Sequence, residues 1–192
     1  MNNLYQQVIA NAGNIVSKAN DRQLSEDGFN EKVFSTSKIK MPKLNLEQTK
    51  VQIKTEEISY RNAPPGIAFS MSGSKSVEYA IYSIPLSGDI DLFVHLARPY
   101  IDRRVTYLEY NTLYYKEYSN SKLSGNEDLI NAIRNRVVNF TTNINNSLSQ
   151  FEQELNQFYD TQLKSAIEDF IKSEIAKRNL KSDAESKLNP FA

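Results

Sequence analysis

Apolar residues recur at helical spacing near the start of the chain. From Leu4 to Val16 they lie three or four positions apart, which is the period of one helix face. Residues 20–28, which follow, are rich in residue types that end helices. The pattern therefore predicts a first helix over Leu4–Val16. Residues 30–50 mix Lys, Ser and Thr around Pro42 without a clear period, and they remain unassigned.

The middle of the chain alternates apolar and polar residues, as the strands of a sheet do. β-Branched and aromatic residues, which favour sheets, are frequent in the same region. Short connections favour an antiparallel sheet of about five strands, because parallel pairing would need long crossovers. Strands are predicted at 51–54 with a continuation over 57–60, and at 67–71, 77–84, 90–96, 105–110 and 112–118.

The strongest hairpin pattern lies between residues 67 and 84. Ile67–Met71 and Val77–Ile84 flank residues 72–75, whose composition is typical of a turn. Residues 62–66, just upstream, contain two prolines that interrupt a strand ladder. We therefore expect Ile67–Met71 to pair with Val77–Ile84.

From Asn126 onward the period changes to that of a helix. The apolar positions step by four, four and three, a repeat that keeps one stripe on a nearly straight helix. The stripe slips by one residue at Tyr159–Thr161, where Asp160 or Thr161 could cap a new helix. The stripe before the slip comprises Leu129, Ile133, Val137, Phe140, Ile144, Leu148, Phe151, Leu155 and Tyr159, and the face after it comprises Leu163, Ile167, Phe170, Ile171 and Ile175.

Two arrangements of this helical region are open. An unbroken helix to about Leu180 would be roughly 80 Å long, which is too long to lie on a small domain without help. A break between Phe158 and Gln162 would give two helices that pack together as a helical hairpin, and we favour the break. The predicted class is α+β: a helix and an antiparallel sheet in residues 1–125, a helical pair in residues 126–180 that packs on the sheet or extends from it, and a linker-like tail in residues 181–192.

Composition narrows the class of protein. A chain of 192 residues has the length of one domain and buries about two thirds of its unfolded surface. It has no cysteine, which excludes disulfides and thiolate zinc sites, and its 23 basic and 23 acidic residues argue against a strong basic field for nucleic acid. The first residues lack a signal-peptide pattern and no apolar run approaches the ~20 residues of a membrane span, so we expect a cytoplasmic protein.

The candidates for catalytic or metal-binding chemistry each have a simpler structural explanation. His95 is the single histidine and has apolar neighbours, which disfavours a catalytic or zinc-binding role. Asp89 and Asp91 on one side of a strand could hold Mg²⁺, but residues 87–89 fit a turn equally well, and the turn is favoured. Residues 73–75 lack the upstream glycine and the following helix of a phosphate loop. We therefore predict no catalytic residue, metal ligand or cofactor.

Two sets of residues are candidates for binding a partner. Arginines and tyrosines on one sheet face could stack nucleic-acid bases or anchor a protein, although a solvated amphipathic face explains them as well. The long helical stripe must bury its side chains against its sheet, its helical partner or another chain. Because a small sheet covers only part of such a helix, we expect at least a dimer with Phe151 or Leu155 in the contact. The candidates are Leu148, Phe151, Leu155, Arg98, Tyr100, Arg103 and Arg104.

The segment Tyr82–Asp89, with Leu92-Phe93 and Arg98-Pro99 after it, resembles amino-terminal modules of bacterial conflict and phage-defence proteins. In these modules a strand end of the type tyrosine, x, apolar, proline, small, glycine, aspartate precedes a turn, two strands and a helical pair. The likeness spans residues 77–188. The chain departs from the pattern at Tyr100, where the turn would carry serine, and it ends where the resemblance would place a Toll/interleukin-receptor-like or nuclease effector domain. The resemblance implies a regulatory or assembly role and carries over no catalytic residue.

Three functions follow as hypotheses. The first is a non-enzymatic interaction module, as a homo-oligomer or as the partner of an effector subunit, that positions or regulates an effector in a bacterial defence-type system. The alternative is a nucleic-acid-binding accessory protein that uses the arginine and tyrosine face, which a continuous positive surface stripe would favour. The third is a Mg²⁺-dependent enzyme acting through Asp89 and Asp91, and it lacks the converging groups of a catalytic site.

Overall fold

The computed structural model describes residues 2–69 and 73–189. The chain divides into two compact units, Met1–Ile39 with Glu152–Ala192, and Lys40–Phe151, which differs from the division at residues 125 and 180 expected from the sequence. The helices are α1 (Asn2–Lys18), α2 (Asp21–Leu24), α3 (Phe29–Ser37), α4 (Ile90–Ala97), α5 (Glu127–Phe158) and α6 (Lys164–Leu188). The strands are β1 (Lys43–Leu44), β2 (Lys50–Ser59), β3 (Ser74–Ser87), β4 (Thr106–Glu109) and β5 (Thr112–Ser119).

In the first unit α1 packs against α3 and α6. Val8, Ala12 and Val16 of α1 are buried, as the helical spacing of these residues predicts. Gly13 lies against the ring of Phe170 on α6, so the two helices approach closely at this point. The helical prediction for Leu4–Val16 is confirmed, because α1 contains all of it.

In the second unit β3 is the central strand of an antiparallel sheet. β2 pairs with β3 along its whole length, and β1 pairs with the end of β3 on the same side. β5 pairs with β3 on the other side, and β4 pairs with β5 at the far edge. Ala80 of β3 forms a buried apolar cluster with Leu123 and with Ile133 of α5. The α+β class, the N-terminal helix and the five-stranded antiparallel sheet are thus confirmed.

Two of the predicted strands are wrong. Residues 90–96 form α4, because a short apolar run fits a strand and a helix equally well and the helix buries Leu92, Phe93 and Leu96. Ile67–Phe69 is not a strand, and the rest of the strand predicted over residues 67–71 lies outside the described residues. The partner of β3 on this side is instead β2, which ends at Ser59.

The predicted helical hairpin is also wrong, although the irregularity lies where the stripe slips. Residues Tyr159–Leu163 form a π-helical segment, and both Phe158 before it and Leu163 at its end have α-helical backbone angles. A π segment accommodates one extra residue within a helix, which is the size of the slip, so no capped break is needed. Asp160 pairs with Lys164 at 2.6 Å instead of capping a new helix. One long C-terminal helical element therefore spans Glu127–Leu188.

The C-terminal tail is helical for most of its length. Residues 181–188 belong to α6 and are exposed, which agrees with their polar character but not with an irregular linker. Residues 190–192 of the predicted tail lie outside the described residues.

Candidate protein-interaction surface

The outer edge of β2 is a long stretch of strand backbone that has no neighbouring strand among the described residues. β2 has ten residues, all paired with β3, and no other described strand pairs with it. The opposite edge of the sheet is formed by β4, which has only four residues. Because backbone groups alternate in direction along a strand, about half of those in β2 point away from β3. Such an edge is a template on which another strand can pair.

Two large apolar side chains of β2 are exposed beside this edge. Val51 is 56% exposed and Ile53 is 52% exposed, although both alternate with polar residues as buried strand residues do. They lie opposite Tyr82 and Ala80 of β3, on the same face of the sheet. Together with residues of α5 they line an open groove of about 550 Å³. The lining residues are Val51, Ile53, Ala80, Tyr82, Leu123, Ile130, Ile133 and Arg134.

The other face of β2 carries the polar and charged residues Lys50, Gln52, Lys54 and Glu56 before the buried Ile58. The Glu56 carboxylate accepts hydrogen bonds from Lys116 Nζ at 3.0 Å and from the Tyr118 hydroxyl at 2.9 Å. Burial alone would lower the pKa of Lys116, but its hydrogen bonds to Tyr118 and Glu56 raise that pKa, so Lys116 stays cationic. Lys50 and Lys54, in contrast, are exposed and form no ion pair within the described ranges.

The arginines and tyrosines predicted to form one binding face are divided among different places. Arg98 and Arg103 line an open cleft of about 1100 Å³, together with His95, Asp91 and Tyr107. The ring of Tyr107 is stacked on that of Tyr114, with centroids 4.8 Å apart. The cleft therefore brings two arginines and one tyrosine together, but it also contains a carboxylate.

The other two residues of that predicted face lie elsewhere. Tyr100 lines a separate cavity of about 620 Å³, which Asp102 also lines. Arg104 donates hydrogen bonds to the carboxylate of Asp102, with Nη2 2.6 Å from Oδ2, and these bonds lower the pKa of Asp102. The guanidinium group of Arg104 is thus engaged by its own loop.

The helical residues predicted to contact a partner are buried in the chain itself. Leu148, Phe151 and Leu155 are 6%, 2% and 1% exposed. These three side chains therefore offer no surface to a partner in this fold, although Leu129 and Val137 of the same stripe are partly exposed. Val51 and Ile53 are exposed on the edge strand β2, and other large apolar residues are exposed singly elsewhere, among them Val94, Val138 and Leu180.

Asp89 has a structural role. Its carboxylate Oδ1 accepts a hydrogen bond from the Leu92 amide at 3.0 Å and caps the N-terminus of α4. Asp91 is two residues further along the same helix, and residues at this spacing do not face each other. The strand geometry behind the hypothetical Mg²⁺ site is therefore wrong. Gly88 has a left-handed backbone conformation between the end of β3 and the cap of α4, which agrees with the favoured turn interpretation.

The remaining candidate motifs are placed as follows. Residues 73–75 lead into β3, so the strand excludes the helix N-terminus that a phosphate loop needs. In the part of the chain with described structure, no three His, Asp or Glu side chains converge as metal ligands would. Among the helices of the same part, none has the length and apolar character to cross a membrane.

Comparison with known proteins gives no relative. The sequence matches no protein-family model and no curated protein, and the fold matches no solved structure.

Proposed function

We propose that the chain is a non-enzymatic interaction module that binds another protein strand along the edge of β2. The observation that carries this proposal is the unpaired ten-residue edge with Val51 and Ile53 about half exposed beside it. A strand that is added to such an edge gains main-chain hydrogen bonds, while alternate side chains provide specificity.

The residues along this edge favour a strand that binds a partner over an edge strand that is kept from pairing. Proteins that keep an edge strand free usually shorten it or place charges along it. Lys50 and Lys54 provide such charge, but Val51 and Ile53 lie between them, and the apolar groove adjoins these two residues. A docked strand would cover apolar surface that the isolated chain leaves in water.

The effector that this module would position or regulate is of the bacterial defence type. This part of the proposal rests on the resemblance of Tyr82–Asp89 to amino-terminal modules of such systems. In the structure these residues form the end of β3, the turn at Gly88 and the cap of α4. They therefore build the scaffold of the module, and β2 provides its binding edge.

Photocrosslinking in the cells that express the chain tests the proposal. The photoreactive amino acid p-benzoylphenylalanine replaces Ile53, and a matched control places it at Val138, which is 59% exposed on α5. We expect a discrete protein adduct from position 53 that Val51→Lys abolishes, and none from position 138. No adduct at position 53, or equal yields at the two positions, would contradict the proposal.

The same experiment separates the nucleic-acid hypothesis. A nuclease-sensitive adduct formed when the photoreactive residue replaces Tyr107, with none at Ile53, would favour the cleft that contains Arg98 and Arg103. The equal numbers of basic and acidic residues in the chain disfavour this outcome, because non-specific nucleic-acid affinity depends on net positive charge.

A further inference from the structure

We infer that the strand bound by β2 is the β2 of a second copy of the chain, paired antiparallel across a two-fold axis through Ile53. The inference rests on the proposed function and names the partner. It follows from the order of apolar and charged residues along Lys50–Ser59. A register centred on Ile53 pairs Lys50–Glu56 without opposing like charges, whereas one centred on Val51 would pair only Lys50–Gln52.

Symmetry limits the registers that two copies can adopt. The two-fold axis that relates neighbouring antiparallel strands is perpendicular to the sheet, so it leaves each side chain on its original face. Residues directly opposite each other also share a face. Each residue therefore opposes one of the same parity, and the axis must pass through a residue and not between two.

Registers centred next to Ile53 place like charges opposite each other. An axis through Lys54 sets Lys54 against Lys54 of the second copy. An axis through Gln52 sets Lys50 against Lys54, twice by symmetry. Like charges directly opposite destabilise a strand pair, so both registers are disfavoured.

Registers centred further along β2 pair apolar residues with charged or polar ones. An axis through Thr55 sets Ile53 against Glu57 of the second copy. An axis through Glu56 sets this carboxylate against itself. Neither arrangement gives the apolar residues of β2 an apolar neighbour.

The register centred on Ile53 matches the apolar face. Ile53 opposes Ile53 of the second copy, and Val51 opposes Thr55 on both sides of the axis. Three β-branched pairs thus lie side by side on the face that carries the groove, where β-branched cross-strand pairs are favourable. The exposed side chains of Val51 and Ile53 would each gain neighbours that the single chain does not provide.

The same register matches the charged face. Lys50 opposes Glu56 of the second copy twice, and Gln52 opposes Lys54 twice, so no like charges meet. Lys50 has no ion pair in its own chain, as judged from the described residues. Each oxygen of the Glu56 carboxylate accepts one hydrogen bond within the chain and retains a second acceptor site. The ammonium group of Lys50 can occupy it.

Cysteine scanning tests the register, because the natural chain contains no cysteine. In Ile53→Cys the two thiols face each other across the axis, with Cβ atoms ~4.5–5.5 Å apart, close to the separation of a disulfide. In Thr55→Cys the two thiols lie roughly 13 Å apart, because each is two residues from the axis and the two are therefore offset by four residues along the strands. Mild oxidation should therefore link Ile53→Cys into a dimer about ten times faster or more than Thr55→Cys.

Two controls complete the scan. A mixture of Val51→Cys with Thr55→Cys should form the mixed disulfide, since these positions are opposite in this register. Val138→Cys, which is equally exposed but lies on α5, should not crosslink faster than Thr55→Cys. Equal rates for Ile53→Cys and Val138→Cys would overturn the register.

Light scattering of the unmodified chain tests the dimer independently. The mass should rise from 22.0 kDa towards twice that value with concentration. Ile53→Lys, which places two ammonium groups at the axis, should raise the dissociation constant about tenfold or more while circular dichroism stays native. A mass of one chain at all concentrations up to millimolar would overturn the inference. If the in-cell adduct from position 53 then contains a different protein, the proposed function stands and the inference of self-pairing fails. If no adduct forms, both the proposed function and the inference fail.

Discussion

Replacing Gly88 with alanine would introduce a methyl group into a space that the backbone already fills. Gly88 has a φ of +84°, and a Cβ atom there would lie 2.1 Å from the carbonyl oxygen of Met41 and 2.9 Å from Cα of Pro42. The next residue, Asp89, donates its amide to the carbonyl of Lys40 at 2.9 Å, which holds the two segments together. Neither segment can rotate a side chain away, because the contacting atoms are backbone.

The magnitude follows from two separable contributions. The left-handed backbone conformation costs an alanine about 1–2 kcal/mol. Displacing residues 40–42 would also strain the adjacent pairing of β1 with β3 and the Asp89–Lys40 hydrogen bond. We therefore expect Gly88→Ala to lower the free energy of unfolding by at least about 3 kcal/mol, within the range of severe packing mutations.

Gly125→Ala is the matched control. Gly125 has a φ of +81°, but no atom lies within 4 Å of its hypothetical Cβ, so only the conformational contribution remains. Urea unfolding monitored by circular dichroism measures both variants. The account predicts that Gly88→Ala loses at least about 2 kcal/mol more than Gly125→Ala. Equal losses in the two variants would refute the reasoning that close backbone packing, and not φ alone, requires glycine at this turn.

Three further predictions concern single side chains. Asp89→Ala should lower the free energy of unfolding by about 1 kcal/mol in urea by removing the α4 cap, whereas Asp89→Asn should retain the cap. Calorimetry should show no saturable Mg²⁺ binding in either Asp89→Asn or the natural chain. Tyr159→Phe should cost about 1–2 kcal/mol, because its hydroxyl accepts the Ile39 amide at 2.8 Å, while Tyr110→Phe, at a site 91% exposed, should be neutral. Burial and the hydrogen bond to Glu117 raise the pKa of Tyr115. The neutral Tyr115 side chain therefore stabilises the fold at pH values below the unfolded pKa of about 10, and this stabilisation is lost as the pH rises above that value. Tyr115→Phe should make the free energy of unfolding fall less steeply in an alkaline titration.

The elements with long or clear periodicity could be predicted from the sequence. α1 and the stripe on α5 were, since apolar spacing over many residues distinguishes a helix from a strand. α4 was not, because its short apolar run satisfies both patterns, and the decision depends on the Asp89 cap and on tertiary burial. The slip at Tyr159 was visible, but the sequence does not distinguish a capped break from a π segment, which absorbs the extra residue without ending the helix.

The candidate site was harder to predict than the fold. The alternation over residues 51–54 correctly indicated a strand, but alternation is identical in edge and central strands. The edge position of β2 follows only from the strand order of the folded sheet. The exposure of Val51 and Ile53 likewise follows only from the folded structure. The sequence instead favoured Leu148, Phe151 and Leu155 of the helical stripe, which are buried in the folded chain.

Hydrogen exchange of the β2 amides tests the central claim most directly. In a single chain, the amides of Lys50–Ser59 that bond to β3 should be protected, while the alternate amides that point outward should exchange rapidly. Residue-resolved NMR exchange at millimolar concentration should show protection of the outward amides within Lys50–Glu56 as well, since these residues pair in the register centred on Ile53. Ile53→Lys should return that set, and not the β3-bonded set, to rapid exchange. Outward amides that exchange rapidly in the natural chain at every concentration would contradict the claim that β2 docks a second copy.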